Sequence, residues 1–162
     1  MFARRSGLLQ DHHPGPGKQI ITATYNGDSQ YINSTATTTI TVKKINTKID
    51  LQVSNSTPLN GTAITITATL TDTTGNKLAN QNITLNVVGK TFNLKTNSKG
   101  IATQTYTPTT PGNQTITATY SGDSQYIKTT ATTSITVKKI NTKLTVKVSN
   151  STPINSTSII IT

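Results

Sequence analysis

Side chains able to do chemistry are scarce in this chain. All five carboxylates are aspartates (Asp11, Asp28, Asp50, Asp72 and Asp123), Glu and Cys are absent, and the two histidines, His12 and His13, are neighbours. General acid–base catalysis needs a titratable group within hydrogen-bond reach of the reacting proton, and covalent catalysis needs a nucleophile beside a base. No pair of acids shares a stretch with a plausible base, so the expectation is no enzyme, no catalytic residue and no cofactor. Without cysteine there is no disulfide framework, thiol nucleophile or thiolate zinc site. Two adjacent histidines in an unstructured tail rarely close a metal site.

Two weaker chemistries remain. Asp28 and Asp123 recur in the same setting, Gly-Asp-Ser-Gln-Tyr, where a carboxylate among hydroxyls and carbonyls is a weak candidate for a calcium site of six to eight oxygens. The simpler reading is a turn, with Gly supplying an unusual backbone angle and Asp accepting bonds from nearby amides. Seven Asn-x-Ser/Thr triplets, at Asn33, Asn55, Asn60, Asn82, Asn113, Asn150 and Asn155, have the form of N-glycan acceptors in an exported protein, although a chain this rich in Asn and Thr generates the motif by composition.

The formal charge of +10 attracts anionic polymers without specifying a fold. The lysines mostly alternate with Thr or Asn, and no basic surface interleaved with aromatics offers a stacking platform, so nucleic acid is not expected as a partner. Acidic wall polymers and glycans remain as partners, and lysines on strand edges also discourage pairing with other chains. No apolar run approaches the roughly 18 residues of a membrane span.

The elements that must position these residues repeat. Thr22-Ala23-Thr24-Tyr25 followed by Gly27 to Ile32 returns as Thr117-Ala118-Thr119-Tyr120 followed by Gly122 to Ile127, an offset of 95 residues. The same offset carries Lys43-Lys44-Ile45-Asn46-Thr47-Lys48 onto Lys138 to Lys143, and Ser54 to Pro58 onto Ser149 to Pro153; about three quarters of aligned positions are identical. Where the copies differ at alternating apolar positions they stay apolar (Ile49/Leu144, Leu51/Val146, Leu59/Ile154). A period this long matches a whole sandwich domain rather than a solenoid unit. The phase predicts an unstructured leader at 1–15 unrelated to the repeat, the last two strands of a truncated unit at 16–46, a complete domain at 47–139, and the first strands of a further truncated unit at 140–162.

Nearly a quarter of the residues are Thr, with Ile and Val as apolar partners. These β-branched residues suit half-buried pleated surfaces. Period-two alternation is clear in Ile64, Ile66, Ala68 and Leu70, separated by threonines, and predicts seven strands in the complete unit, at about 48–55, 64–71, 82–88, 91–96, 101–107, 114–120 and 131–138. Seven antiparallel strands with no helical periodicity point to an all-β, immunoglobulin-like β-sandwich.

A strand ending Ala-Thr-Tyr, then Gly-Asp-Ser-x-Tyr, then a Thr-rich strand ending Ile-Thr-Val resembles the bacterial Ig-like repeat (group 3). Tyr120, Gly122, Asp123, Tyr126, Ile135 and Val137 carry the resemblance, the first four as a structural loop. The Asn/Thr/Lys bias resembles the Asn/Thr-rich adhesin-like surface proteins of methanogenic archaea. This implies a stalk fragment of a large cell-surface, extracellular protein, mediating display and adhesion, whose partners are neighbouring repeats of the same polypeptide. The alternative is a ligand-binding Ig-like module recognising glycan or acidic cell-wall polymer through its loops.

Overall fold

The computed structural model describes residues 15–156 and 158–162. The expected leader apart from Gly15, and with it Asp11, His12 and His13, lies outside the described residues, as does Thr157 of the Asn155 triplet.

Among the described residues nine strands form: β1 (Gly17–Tyr25), β2 (Ser34–Val42), β3 (Thr47–Val53), β4 (Ile64–Asp72), β5 (Asn82–Val87), β6 (Lys90–Lys95), β7 (Ile101–Tyr106), β8 (Gly112–Tyr120) and β9 (Thr129–Val137). β3–β4–β7 make one antiparallel sheet, β6–β5–β8–β9 a second, and β1–β2 a separate hairpin. The chain is therefore all-β, and its two larger sheets form an Ig-like sandwich.

Alternation decides what lies between the sheets. Ile64, Ile66, Ala68 and Leu70 of β4 are buried, while the threonines between them face outward or are half covered. Opposite stand Ile83, Leu85 and Val87 of β5, Ile116, Ala118 and Tyr120 of β8, and Ile135 and Val137 of β9. Each fully buried aliphatic side chain contributes roughly 1.5–3 kcal/mol, so this thin layer is the stabilising core. Its buried polar groups are paired. Tyr106 donates to Gln114 Oε1 at 2.9 Å, and Gln114 donates onward to the Thr110 carbonyl at 2.7 Å. The Thr96 hydroxyl donates to the Leu78 carbonyl at 2.6 Å and accepts the Gln81 amide at 2.9 Å.

One turn departs from the expectation. Alternation carries the third strand of the unit through Val88, but β5 stops at Val87, and Val88 (φ 48°) with Gly89 (φ 77°) makes the two-residue turn into β6. Two positive φ angles match the twist of a hairpin. A β-branched residue is poorly suited to that region, so residue type gave no signal for it.

The sandwich is closed by a strand that changes sheets. β3 pairs with β4 as far as Val53. The Asn55 side chain then accepts the Thr57 amide at 2.8 Å, turning the chain toward the other sheet. There Thr136 donates its amide to the Ser56 carbonyl, Lys138 donates to the Pro58 carbonyl, and Asn60 donates to the Lys138 carbonyl, each at 2.8 Å. The pairing is parallel, centred on Leu59 and Lys138. Pro58 has no amide to leave unpaired, and it is fully buried here.

The β1–β2 hairpin and the segment after β9 are open by comparison. In β1–β2, Ile20, Ile21, Tyr25 and Ile40 are exposed. Among the described residues after Val137 no strand forms; Val148 bridges Ile161, and Ser149 donates to the Ile160 carbonyl at 3.1 Å.

Candidate functional site

The recurring Gly-Asp-Ser-Gln-Tyr segment is the loop from β8 to β9. Gly122 has φ 78°, and a Cβ there would lie 2.7 Å from the Tyr126 carbonyl oxygen and 2.8 Å from the Lys128 nitrogen. Both the angle and the close approach require glycine. Next to it, Asp123 Oδ1 accepts the amides of Gln125 (2.7 Å) and Tyr126 (2.8 Å), while Oδ2 accepts the Tyr120 hydroxyl at 3.0 Å. The Tyr120 oxygen also lies 3.0 Å from Gln81 Oε1. A phenol has one proton, so with Tyr120 donating that proton to the Asp123 carboxylate, the Gln81 amide turned to present its nitrogen as donor to the phenol oxygen satisfies the second contact.

These bonds set the electrostatics. Burial works against ionisation of Asp123, but the Tyr126 and Gln125 amides, the Tyr120 hydroxyl and the charge of Lys44 together hold its carboxyl below the usual range. Burial first, then the bond to Asp123 and its charge, keep the Tyr120 phenol protonated far above its ordinary value.

The loop 27–32 has the same geometry. Asp28 Oδ1 accepts the amides of Gln30 (2.8 Å) and Tyr31 (2.9 Å), and Oδ2 accepts the Tyr25 hydroxyl at 2.7 Å. That hydroxyl bond, followed by the two amides, lowers the Asp28 pKa. Both weak calcium candidates are thus hubs of turns, and among the described residues no three His, Cys, Asp or Glu side chains are grouped as a metal-ligand set. Asp72 is another hub. It accepts Thr74 Oγ1 (2.7 Å), the amides of Thr74 and Asn76 (2.9 Å each) and Asn76 Nδ2 (2.9 Å). The Thr74 hydroxyl is the main cause of its lowered pKa, against the opposing effect of burial. Asp50 accepts the Gln52 side chain at an exposed site.

The glycan-type asparagines scatter over the surface. Asn33, Asn82 and Asn155 are exposed. Asn55 and Asn150 bond the amides of Thr57 and Thr152, and Asn113 accepts the Thr136 hydroxyl. Asn60 is half buried, its Oδ1 enclosed without a hydrogen-bond partner among the described residues.

The 121–128 loop also receives the chain that enters the sandwich. Ile45 donates its amide to the Gln125 carbonyl and accepts the Ile127 amide, both at 2.9 Å, in a parallel bridge centred on Tyr126. Lys44 Nζ donates to the Asp123 carbonyl at 2.7 Å, and Thr47 Oγ1 donates to the Ile127 carbonyl at 2.7 Å. Pro16, Val42, Lys43, Ile45, Gln125 and Tyr126 line a cleft of about 220 Å³ at this junction, below the usual range of small-molecule pockets. Sequence reasoning singled out Tyr120, Gly122, Asp123 and Tyr126 as a loop but missed its partners Lys44, Ile45 and Gln81. The available signal was the second copy of Lys-Lys-Ile-Asn-Thr-Lys, a connector held as constant as the loop it meets. Among the described residues no helix is long and apolar enough to cross a membrane.

Among solved structures, the chain is similar to domains 1–6 of the surface layer protein SbsC, at 17% identity and a TM-score of 0.40, over 82% of this chain and 18% of that one. It is also similar to domains 4 and 5 of the S-layer protein SbsC, at 20% identity and a TM-score of 0.34, over 78% of this chain and 59% of that one. The chain therefore spans less than two thirds of either structure, and likeness at these scores does not bear on what it does. No curated protein matches it. Residues 51–138, more than half of the chain and nearly the whole sandwich, match the model of the bacterial Ig-like domain (group 3), and the chain belongs to that family.

Proposed function

We propose that this chain is a stalk or spacer segment of a large cell-surface, adhesin-like polypeptide, in which tandem Ig-like units present a binding region away from the cell and serve display and adhesion rather than catalysis. The supporting observation is the docked connector. Lys44, Ile45 and Thr47 are bonded to the 123–127 loop of the sandwich that follows them, so the segment between units is short and held. A free Gly/Ser-type linker would leave neighbouring units to rotate independently. Repeated docking of this kind gives a semi-rigid rod whose partners are its own neighbouring units. X-ray scattering from an array of three intact units is expected to give an extended particle with a narrow distribution of inter-unit distances. A compact profile with random unit placement rejects the proposal.

A second reading takes the same loop as a recognition surface for glycan or acidic wall polymer, because half-buried Tyr126 and exposed Lys43 share the junction cleft. A glycan array probed with one intact unit separates the two: saturable, loop-dependent binding favours recognition, and its absence leaves the spacer.

A further inference from the structure

Asparagine is followed directly by glycine at two places, Asn26-Gly27 and Asn60-Gly61. The pair has a chemistry of its own. The backbone nitrogen of the glycine can attack the side-chain carbonyl carbon of the asparagine, and a glycine has no Cβ to obstruct the approach. The fold puts the two pairs in opposite situations.

At Gly27 the φ angle is 77°, and a Cβ would lie 2.7 Å from the Tyr31 carbonyl oxygen and 2.8 Å from the Asn33 nitrogen. Glycine is therefore required behind Asn26. Asn26 itself is exposed, one residue beyond the end of β1. Among the described residues neither its side chain nor the Gly27 amide makes a hydrogen bond. The attacking nitrogen and the attacked carbon are both unrestrained.

At Asn60-Gly61 they are held. Asn60 donates its amide to the Lys138 carbonyl and Gly61 donates its amide to the Pro108 carbonyl, each at 2.8 Å, while the Thr62 amide closes a turn onto the Leu59 carbonyl at 3.0 Å. The Asn60 Oδ1 is enclosed. Here the nucleophile is already engaged as a donor, and the backbone on both sides of it is tied. Under the 95-residue offset the counterpart of Asn26 is Ser121, which has no side-chain carbonyl to attack.

We propose that Asn26 is a self-modification site: the folded chain converts it to aspartate and isoaspartate and leaves Asn60 an amide. The Gly27 amide gives up its proton as its nitrogen bonds to Asn26 Cγ. The Cγ–Nδ2 bond breaks and ammonia leaves with that proton, closing a succinimide. Solvent water then opens the ring at either carbonyl. One opening restores the main chain with an aspartate side chain; the other routes the main chain through the former side chain and lengthens it by one methylene. Either product adds a carboxylate two residues from Asp28. The isoaspartate also shifts the backbone just ahead of Gly27, whose place is fixed by the Tyr31 and Asn33 backbone. The change falls on the 27–32 loop and spares its counterpart in the sandwich. This inference does not depend on the stalk reading.

The test uses the full chain, made without glycosylation, and held folded in heavy-oxygen water at mildly alkaline pH before peptide mapping by mass spectrometry. The isotope separates conversion in the folded chain from conversion during digestion. Asn26 is expected to take up the label as an aspartate and isoaspartate pair about tenfold faster than Asn60, or more, because Asn60 must first lose the hydrogen bonds that hold it. In denaturant the two rates should converge. No label at Asn26, or equal rates in the folded chain, overturns the proposal; so does a difference that persists in denaturant, which would come from local sequence and not from the fold. Asn26→Ser, which installs the residue of the other copy, should remove the label from that peptide alone. Label persisting there would place the reaction at another residue and reject Asn26 as the site.

Discussion

Hairpins β1–β2 and β8–β9 are nearly the same object in two environments. Their registers match pair for pair under the 95-residue offset, from Gly17↔Val42 and Gly112↔Val137 to Tyr25↔Ser34 and Tyr120↔Thr129. Their loops carry the same glycine angle, 77° and 78°, and the same aspartate-centred bonds. Ile116, however, is 0% exposed, and its counterpart Ile21 is 49% exposed. Ile32 is 89% exposed, whereas Ile127, bonded to the entering Ile45, falls to 40%. A hairpin's backbone and turn are thus local properties here, and burial depends on which other strands arrive. The loop keeps its shape with or without a connector, so docking meets a preorganised surface and costs little ordering entropy.

The largest expected split between the copies is in packing. Ile116→Ala should lower the unfolding free energy by about 2–5 kcal/mol through lost burial and the cavity left behind. Ile21→Ala should change it by less than about 0.5 kcal/mol, as at an exposed site. Denaturant titrations of the two variants check this, and similar shifts would mean that β1–β2 is packed as β8–β9 is.

A smaller split is expected at the loops. Gly122→Ala forces a side chain into a positive-φ position against the Tyr126 carbonyl, at a cost of about 1–3 kcal/mol. Gly27→Ala meets the same strain against the Tyr31 carbonyl, but it should disturb only its own loop and leave the cooperative unfolding transition where it was. Amide chemical shifts of residues 26–33, followed alongside the melt, separate a local change from a global one.

The smallest effect is electrostatic. Since the folded carboxyl of Asp123 is held below its unfolded value of about 3.9, its ionised form stabilises the fold fully above that pH. The contribution is lost as pH falls through the lower folded value. Asp123→Asn should flatten this part of the stability profile between neutral pH and the acid range. Asp28→Asn should flatten the sandwich's profile less, because the bonds of Asp28 run to Tyr25, Gln30 and Tyr31 of its own hairpin. Equal flattening by both variants would contradict the contrast between the hairpins.

Much of the sandwich was legible beforehand because its signals are local. Thr-separated Ile and Leu mark a strand with one wet face, and Gly-Asp and Pro mark where strands stop, so the alternation anticipated seven strands and the inward residues Ile64, Ile66, Ala68 and Leu70. Val88 was misplaced because its turn depends on hairpin twist rather than residue preference. At the site, Tyr120, Gly122, Asp123 and Tyr126 were visible as a motif only a few residues long. Gln81, 39 residues from Tyr120, and Lys44, 79 from Asp123, were not, because nothing in a linear pattern specifies a partner at that separation.

By itself, the sequence determined the repeat, the period-two strands, the glycine-dependent turn and the sparse chemistry of a chain without Glu or Cys. Only the tertiary structure decided which copy of the hairpin is buried, that the 47–60 segment crosses from one sheet to the other, and that the connector lies parallel to the outgoing strand. The division has a physical cause. Backbone preference and side-chain alternation act within a few residues, while burial and parallel pairing require surfaces that come together only when distant strands meet.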